Sequence, residues 1–511
     1  MHHIKKVAIV TPEFYGDTMV GGLAVSVHGL AHALKQKGID VEVVMPAYET
    51  DRSLSKNLTQ ETEIEWKHIT DPKIQTFRKD GIPINKITGL RLGDLTAYSS
   101  YASVPDIDDI AYRKMTRRAF ESNQLFSAVI PRVFKKAGLN PDVVHLMEWN
   151  TAASAFFLRQ SSFSAPIVVT SHNLHYIGEV PEEISDSSSS GFGKQSPLRK
   201  MMALFLKYAS GNLFESLLEL GIHYADAITT VSPQEAKEVL NGREGVKPRL
   251  REKLREKGLI GILNGIDPTI MNPAIDNFIE KYSTREYSEI EKGKKDNKAK
   301  LAGELNLGKE RQIHPDKMLI SMMCRLAEQK SIYEVLNIVD QISKSENAQL
   351  LIIGNPADIN VAQKVDDSYY SRLENVFIHS TFAQPKLQHR VLAASDAILQ
   401  PSKWGPCGYT QLEGMVYGAV PIVTNIGGHR NTVVPFNSEN LSGYGITIEK
   451  PTSELILKSI QRAAELFQDK GMWKVAVMNA VNEDFTWSGK RDSVGNYISL
   501  YERIAEKRAQ R

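Results

Sequence analysis

Short runs of apolar residues alternate with longer segments of helical periodicity along the whole chain. Apolar runs of this length are typical of strands that are buried on both faces of a parallel sheet. In the first half they predict strands at Val7–Val10, Asp40–Met45, Val143–Leu146, Ile167–Ser171 and Ala227–Val231. In the second half they predict strands at Met318–Met323, Gln349–Ile353, Asn375–His379, Ala397–Gln400 and Val420–Thr424. The alternation with helices predicts an α/β fold built from parallel units.

The segments between the predicted strands carry the helical pattern. Apolar positions recur every three or four residues from Leu23 to Leu34, so Gly22–Lys37 is predicted to be a helix, and Gly38 supplies its C-terminal stop. Both halves repeat the order of strand, loop and helix. We therefore expect two Rossmann-like domains whose parallel sheets face each other across a cleft, with ligands beyond the carboxyl ends of the strands.

The predicted domain boundaries follow a polar stretch in the middle of the chain. Residues 1–275 are expected to form the N-terminal domain and residues 318–487 the C-terminal domain. Residues 276–317 are predicted to be a linker, because Tyr282–Pro315 is polar and its lysine-rich part, Lys292–Lys300, is typical of a solvated loop or helix face. Residues 488–511 predict a helix that crosses back toward the N-terminal domain.

Composition and charge narrow the class of protein. The chain has 511 residues, of which 42% are hydrophobic and 24% charged, and its net charge is +2. This balance favours neither nucleic acid nor an anionic membrane as a partner. Two cysteines, Cys324 and Cys407, form no disulfide framework or metal-ligand set, and no run reaches the roughly 20 apolar residues that cross a bilayer. Together with the absence of an apolar signal core, this predicts a cytoplasmic protein.

The segment from Lys403 to Gly414 is a glycine-rich turn that opens into a predicted helix. Free backbone N–H groups and the helix dipole make such a turn favourable for phosphate. Gly408, Tyr409 and Thr410 would offer backbone N–H groups there, and Thr410 would add a hydroxyl. The same residues would also serve as a helix cap, and the two interpretations are compatible.

Nine segments resemble, in order, the signatures of the bacterial glycogen synthase and plant starch synthase family of retaining glycosyltransferases. These segments are Gly21–Ala24, Val144–Asn150, Ser171–Asn173, Thr229–Pro233, Leu263–Asp267, Arg325–Lys330, Pro406–Leu412, Gly427–Val433 and Asp484–Trp487. The resemblance implies two Rossmann-like domains (the GT-B type) that close over a nucleotide-sugar. It implies glucose transfer to the end of an α-1,4-glucan with retention of configuration and no metal cofactor. It favours ADP-glucose over UDP-glucose, and it leaves the oligomeric state open.

The resemblance assigns three residues to the reaction itself. Arg325 and Lys330 would bind the diphosphate and stabilise the charge that builds on the leaving oxygen. His172 would contact the donor sugar near the reacting centre. Without the resemblance, the first two would be a solvated pair at a helix start and the third a structural histidine.

Further residues are assigned to binding. The donor is expected to contact Gly21, Gly22, Asn264, Gly408, Tyr409, Thr410, Glu413, Gly427 and Gly428. The acceptor or the sugar is expected to contact Glu148, Asn150 and Asn173. Glu413 would accept hydrogen bonds from the ribose hydroxyls, and its alternative is a surface glutamate on a helix.

The chain departs from the family at several of these positions. Met19 replaces a lysine, Val25 an aspartate and Gly405 the glutamate of the catalytic loop, while Glu148 and Asn150 replace an aspartate and a histidine. Three explanations stay open: an active enzyme with another donor or acceptor, a weakened enzyme, or a non-catalytic relative that binds glucan or nucleotide and regulates a partner. We favour the glycosyltransferase, because the retained cations and polar residues have no evident use in a scaffold. A nicotinamide dehydrogenase would need a G-x-G-x-x-G turn, which the Gly21-Gly22 loop does not supply.

Overall fold

A computed structural model describes residues 3–19, 21–48, 60–63, 73–88, 109–180, 214–242, 246–305, 312–357, 359–366, 368–381 and 384–510. The chain divides into two compact units. The first comprises the described residues up to Gly265 and those from Arg491 onward, and the second runs from Ile266 to Lys490. Among the described helices, none is long and apolar enough to span a bilayer.

The first unit contains a sheet with the strand order β3-β4-β5-β2-β1-β6-β7-β8-β9. Its strands are β1 (Lys6–Val10), β2 (Asp40–Pro46), β3 (Gln60–Glu63), β4 (Lys73–Lys79), β5 (Ile82–Thr88), β6 (Val143–Met147), β7 (Ile167–Ser171), β8 (Ala227–Thr230) and β9 (Ile260–Gly261). The five predicted strands are confirmed and pair in parallel. The antiparallel extension β3-β4-β5 was not predicted, because its strands are half polar.

Seven helices precede residue 266 among the described residues of this unit. They are α1 (Gly22–Gln36), α2 (Asp109–Lys136), α3 (Trp149–Ala152), α4 (Ser154–Gln160), α5 (Leu217–Tyr224), α6 (Pro233–Leu240) and α7 (Pro248–Lys257). Helix α1 confirms the predicted helix within one residue. Its buried face, which includes Leu30 and Leu34, carries the apolar repeat of the sequence.

The second unit contains a parallel sheet with the order β12-β11-β10-β13-β14-β15. Its strands are β10 (Met318–Met323), β11 (Ala348–Ile353), β12 (Val376–His379), β13 (Ala397–Gln400), β14 (Val420–Thr424) and β15 (Ile446–Ile448). The five predicted strands are again confirmed, because their side chains are almost all buried on both faces.

The helices of the second unit flank this sheet. They are α8 (Tyr287–Glu304), α9 (Ile332–Leu336), α10 (Val339–Ser343), α11 (Ile359–Val365), α12 (Pro385–Ala394), α13 (Thr410–Val416), α14 (Gly427–Thr432), α15 (Ser453–Gln468) and α16 (Lys470–Val481), with 3₁₀ turns at Glu328–Lys330 and Tyr370–Arg372. The last helix, α17 (Ser493–Ala509), returns to the first unit, where Tyr501 lies 2.7 Å from Nδ1 of His145.

Each sheet has one point where the strand order reverses. In the first unit β1 lies between β2 and β6, and in the second unit β10 lies between β11 and β13. At such a switch point the loops leaving two adjacent parallel strands diverge, and the crevice between them is the usual ligand site of an open α/β sheet. The loops after β1 and β6, and those after β10 and β13, together with the helix starts that follow them, contain most of the predicted site residues.

The prediction that the linker segment is a loop is wrong, because helix α8 occupies the middle of this segment. Lys294 and Lys298, expected in a solvated face, are 4% and 1% exposed. Lys298 forms a 2.6 Å ion pair with Asp396, which also accepts a 2.7 Å hydrogen bond from the backbone of Leu319. Lys294 donates to the carbonyl of Ser395, and burial lowers the pKa of its ammonium to about 7. The lysines thus fix α8 to the amino ends of β10 and β13.

Two lysines of α8, the buried Lys298 and the more exposed Lys300, give a matched test of this packing. Replacing Lys298 with Met leaves Asp396 buried without its cation, so we expect a loss of about 3–5 kcal/mol in the free energy of unfolding. Lys300→Met, which removes an exposed pair with Glu280, should change it by less than about 1 kcal/mol. Urea unfolding followed by circular dichroism measures both, and equal effects would contradict the assignment.

Candidate active site

The basic pair of the second unit follows β10 directly. Arg325 lies two residues beyond the strand, and Lys330 ends the 3₁₀ turn that begins at Glu328. The Lys330 ammonium lies 3.4 Å from Oγ of Ser402, which is fully buried in the loop after β13. Burial lowers the pKa of Lys330, and the positive charge of Arg325 lowers it further. An arriving anion would oppose both effects by attracting the ammonium charge, so the two neighbouring cations favour an anionic ligand.

The loop after β13 is attached to the turn that carries Lys330. The backbone N–H of Lys403 donates to the carbonyl of Gln329 at 2.8 Å, and the Gln329 amide donates back to the carbonyl of Trp404 at 3.1 Å. The Lys403 ammonium pairs with Glu334 at 3.0 Å. Because both loops leave adjacent strands, these bonds fix the basic pair beside the glycine-rich turn.

Glycine is required at three positions of this turn. Gly408 has φ +67°, and a Cβ there would lie 2.4 Å from the Gln411 side chain and 2.6 Å from Nε2 of His429. Gly427 and Gly428 lie against the backbone of Gly405 and Cys407, where a Cβ would approach carbonyl oxygens within 2.1 and 2.2 Å. The turn after β13 and the start of α14 therefore pack backbone to backbone.

Gly405 stands where the resemblance places a glutamate, and its backbone leaves room for a Cβ. The nearest atom to a Cβ at this position is Cβ of Ser402, 3.8 Å away, and its φ lies outside the left-handed region. Backbone strain and contact with the Cβ therefore do not require glycine at this position.

His429 is a residue of this turn that the sequence did not single out. Its Nδ1 lies 3.1 Å from the carbonyl of Thr424, and its other nitrogen faces Gly408. Burial lowers the pKa of the imidazole to about 3, and the charge of Lys330 contributes. A neutral ring is thus placed beside the basic pair. The sequence feature that could have identified His429 as a site residue is its position directly after Gly427-Gly428.

Tyr409 and Thr410 mark the start of α13. Tyr409 precedes the helix, Thr410 is its first residue, and no side chain caps this end. Burial raises the pKa of the Tyr409 phenol well above its usual value. The predicted backbone N–H contacts of both residues with a donor stay predictions.

Glu413 lies on α13 but is only 2% exposed, which excludes a surface position. Its Oε2 accepts a 2.9 Å hydrogen bond from the amide of Gln388 on α12. Burial raises the pKa of the carboxyl to about 7, an effect that Gln388 and His389 oppose. The carboxyl is therefore held between two helices, and its contact with a ribose stays a prediction.

In the first unit, the glycine pair stands at the start of a long helix. Gly21 is the extended residue before α1, and Gly22 is exposed at its first position. The first turn of α1 has no acidic residue and no side-chain cap, so its N–H groups favour an anion. Val25, which replaces the family's aspartate, is 1% exposed and belongs to the core. Met19 is half-buried in the preceding loop.

His172 follows β7 and is held by Glu148, which follows β6. The backbone N–H of His172 donates to Glu148 Oε1 at 2.5 Å, and Nδ1 of the ring lies 3.5 Å from the same oxygen. The other nitrogen lies 3.4 Å from Oγ of Ser26 on α1. Glu148 has φ +68°, is 3% exposed and also accepts from the N–H of Trp149. Glu148 is thus placed to position His172, a role that the sequence did not predict.

The three asparagines occupy different settings. Asn150 is buried in α3, and Asn264 is buried beyond β9. Asn173 is half-buried, and its side-chain oxygen accepts from the N–H of His175 at 3.1 Å. No described contact joins these asparagines to one another, so their predicted roles rest on the sequence.

The architecture and these loops define the class of protein. The two units each have a largely parallel sheet and a glycine-rich turn at its switch point, and the second also has a basic pair. This arrangement corresponds to the GT-B fold. The predicted fold class is confirmed. The catalytic domain of starch synthase IV from Arabidopsis thaliana has this fold, with a TM-score of 0.79 and 24% identity over 99% of this chain and 100% of that one.

Comparisons of sequence identify the family. A model of the starch synthase catalytic domain matches residues 6–256, and a model of the glycosyl transferases group 1 matches residues 306–469. A glycogen synthase from Clostridium novyi (strain NT) is 30% identical over 98% of this chain and 99% of its own. Another, from Vibrio cholerae serotype O1 (strain M66-2), is 31% identical over 96% of each. The chain belongs to the glycogen synthase and starch synthase family of glycosyltransferases.

The glycines of the turn provide a first test of the site. Gly408→Ala should lower the free energy of unfolding by about 1–3 kcal/mol, because it places a side chain in the left-handed region and against His429. Gly405→Ala, three residues away in open space, should change it by less than about 0.5 kcal/mol. Thermal unfolding measures the difference, and a tolerated Gly408→Ala would contradict the described turn.

The titration of Glu413 provides a second test, which uses the pH dependence of stability. Its pKa in the folded protein, about 7, exceeds the ordinary value of 4.5, so between these pH values the folded state holds a proton that the unfolded state releases. Stability is therefore lost as pH rises through this window. Glu413→Gln removes the titration, and its gain over wild type should grow from pH 5 to pH 8 toward about 3 kcal/mol. Chemical unfolding at several pH values checks this.

The control is Glu439→Gln, at an exposed position in the same unit. Its stability relative to wild type should be nearly the same at each pH. If the difference in stability between Glu413→Gln and wild type were the same at every pH, the pKa of the Glu413 carboxyl would not be raised by burial.

Proposed function

We propose that this chain transfers glucose from a nucleotide-sugar to the non-reducing end of an α-1,4-glucan, with retention of configuration. The observation that carries the proposal is the basic pair Arg325 and Lys330, fixed beside the glycine-rich turn at the switch point of the second sheet. The related starch synthase IV domain is described as bound to ADP and acarbose, which supports ADP-glucose ahead of UDP-glucose as the donor.

The two cations would act on the leaving group. As the bond between the sugar and the diphosphate breaks, negative charge builds on the diphosphate oxygen, and fixed positive groups lower the energy of that state. Arg325 would bind two phosphate oxygens with its planar guanidinium, and Lys330 would supply a point charge. Burial lowers the pKa of Lys330, and the negative charge of the diphosphate would oppose this effect and stabilise the charged ammonium.

His172 would act on the sugar from the first unit. Its backbone is fixed by Glu148, and its ring lies between the Glu148 carboxylate and the Ser26 hydroxyl. An imidazole held in this way can donate or accept one hydrogen bond in a defined direction. We propose that this bond goes to a sugar hydroxyl and orients the anomeric carbon relative to the acceptor.

The proposal includes no metal cofactor. The charges of Arg325 and Lys330 would take the place that a divalent cation has in other sugar-nucleotide enzymes. We also propose that the chain transfers the sugar although position 405 carries no carboxylate.

Turnover of ADP-glucose and UDP-glucose on glycogen, followed by release of the nucleoside diphosphate, tests the proposal. Lys330→Ala and Arg325→Ala should each lower the rate by about 100- to 1000-fold, because each removes an aligned charge from the transition state. Lys403→Ala, which removes a cation of the same loops that pairs with Glu334, is the matched control and should retain most of the activity.

Gly405→Glu separates an active enzyme from a non-catalytic relative. The backbone at position 405 accepts a Cβ without strain, and circular dichroism with thermal unfolding checks that the variant is folded before its activity is compared. Wild-type turnover that disappears in Lys330→Ala would establish the transferase. No wild-type turnover, with nucleotide-sugar or glucan still bound and activity appearing in Gly405→Glu, would overturn the proposed turnover and assign a binding role to the natural chain.

A further inference from the structure

Two histidines share one face of helix α1. His28 and His32 are separated by one helical turn, and their rings are stacked with centroids 4.3 Å apart and an interplanar angle of 25°. His28 is 2% exposed and His32 is half-buried. Residues four apart on a helix present their side chains to the same neighbour, which is the spacing that lets two imidazoles bind one ion.

A carboxylate completes the group from the tip of the hairpin β4-β5. Asp80 has φ +52° and Gly81 has φ +75°, so the two residues form the tight left-handed turn that joins these strands. The turn lies against α1, because the Lys35 ammonium donates to the carbonyl of Asp80 at 3.1 Å. The Asp80 carboxylate points to the histidines, and its Oδ2 is 3.2 Å from Nε2 of His28.

The three side chains form a compact donor set. One ligand atom from each of His28, His32 and Asp80 lies within 4.8 Å of the other two. Zinc binds imidazole nitrogen at about 2.0–2.1 Å and carboxylate oxygen at about 2.0–2.2 Å, so side-chain shifts of less than about 1 Å would bring all three onto one ion. Of the groups formed by described residues, this is the one with three such donors.

We propose that His28, His32 and Asp80 form a binding site for a divalent transition metal of the zinc class. Two imidazoles and one carboxylate suit zinc, cobalt or nickel, whereas magnesium and calcium prefer sites made of oxygen alone. Asp80 is exposed on the hairpin, which leaves an approach for the ion and a fourth position for water. The hydrogen bond of the Lys35 ammonium goes to the backbone carbonyl of Asp80 and not to its carboxylate.

A metal ion at this site would have a structural role. The ion would join α1 to the hairpin β4-β5, two elements that are otherwise far apart along the chain. His28 also packs against Phe14 and Tyr15 in the loop after β1, with ring centroids 5.1 and 5.6 Å apart. Metal binding would therefore stabilise the region around the glycine pair at the start of α1. It does not depend on the proposed sugar transfer.

Titration of chelator-treated full-length protein with zinc, by calorimetry and thermal unfolding, tests the site. We expect one ion per chain and a rise of about 5 °C or more in the unfolding midpoint at saturating zinc. Cobalt should give the visible absorption of a four-coordinate site. Asp80→Asn keeps the shape of the exposed side chain and should weaken zinc binding by more than about 100-fold, since even outer-shell partners change affinity about 10- to 100-fold.

His32→Gln should have the same effect as Asp80→Asn, and His379→Gln, outside the group, should bind zinc as wild type does. The chain also begins with His2 and His3, so a variant with glutamine at both positions is needed and should retain the site. Zinc binding that survives Asp80→Asn and His32→Gln, or that disappears when only His2 and His3 are replaced, would overturn the proposal. No binding to the folded wild-type chain would overturn it as well.

Discussion

Parallel pairing is the constraint on which the rest of the structure depends. Neighbouring parallel strands end at the same edge of a sheet, so the loops that follow β10, β13 and β14 are neighbours although they are far apart in sequence. The reversal of strand order beside β10 opens a crevice between the first two of these loops. Arg325, Lys330 and the turn at Gly408 meet there because of the topology, and hydrogen bonds between the loops then fix their positions.

The chemistry of this site is that of two neighbouring half-buried cations, Arg325 and Lys330. The other groups near Lys330 include the neutral ring of His429, whose pKa is held at about 3, and the Ser402 hydroxyl. With no carboxylate at position 405, the two cations favour a ligand that brings its own negative charge, as a diphosphate does. In the first unit the site contains an acidic side chain instead. The carboxylate of Glu148 accepts a hydrogen bond from the backbone N–H of His172 and so orients this histidine.

The parts of the fold that could be predicted from the sequence are the strands whose side chains are buried on both faces of a sheet. Strands such as Met318–Met323 and Ala397–Gln400 were found to the residue, because both faces of each are buried. Helix α8 was not found, because its lysines suggest solvent, although Lys298 is paired with an aspartate from a distant segment. The site loops were located by motif, but the burial of Glu413 depends on packing against another helix, which spacing cannot show.

We propose that this chain forms a new α-glucosidic bond without a carboxylate at position 405. Proton NMR of a maltooligosaccharide incubated with ADP-glucose and the wild-type protein tests this proposal. The α-1,4 anomeric signals should grow while the anomeric signal of the donor declines, with one bond formed for each ADP released. Donor consumption without new linkages, β-configured products, or an unchanged spectrum with the donor still bound would contradict it.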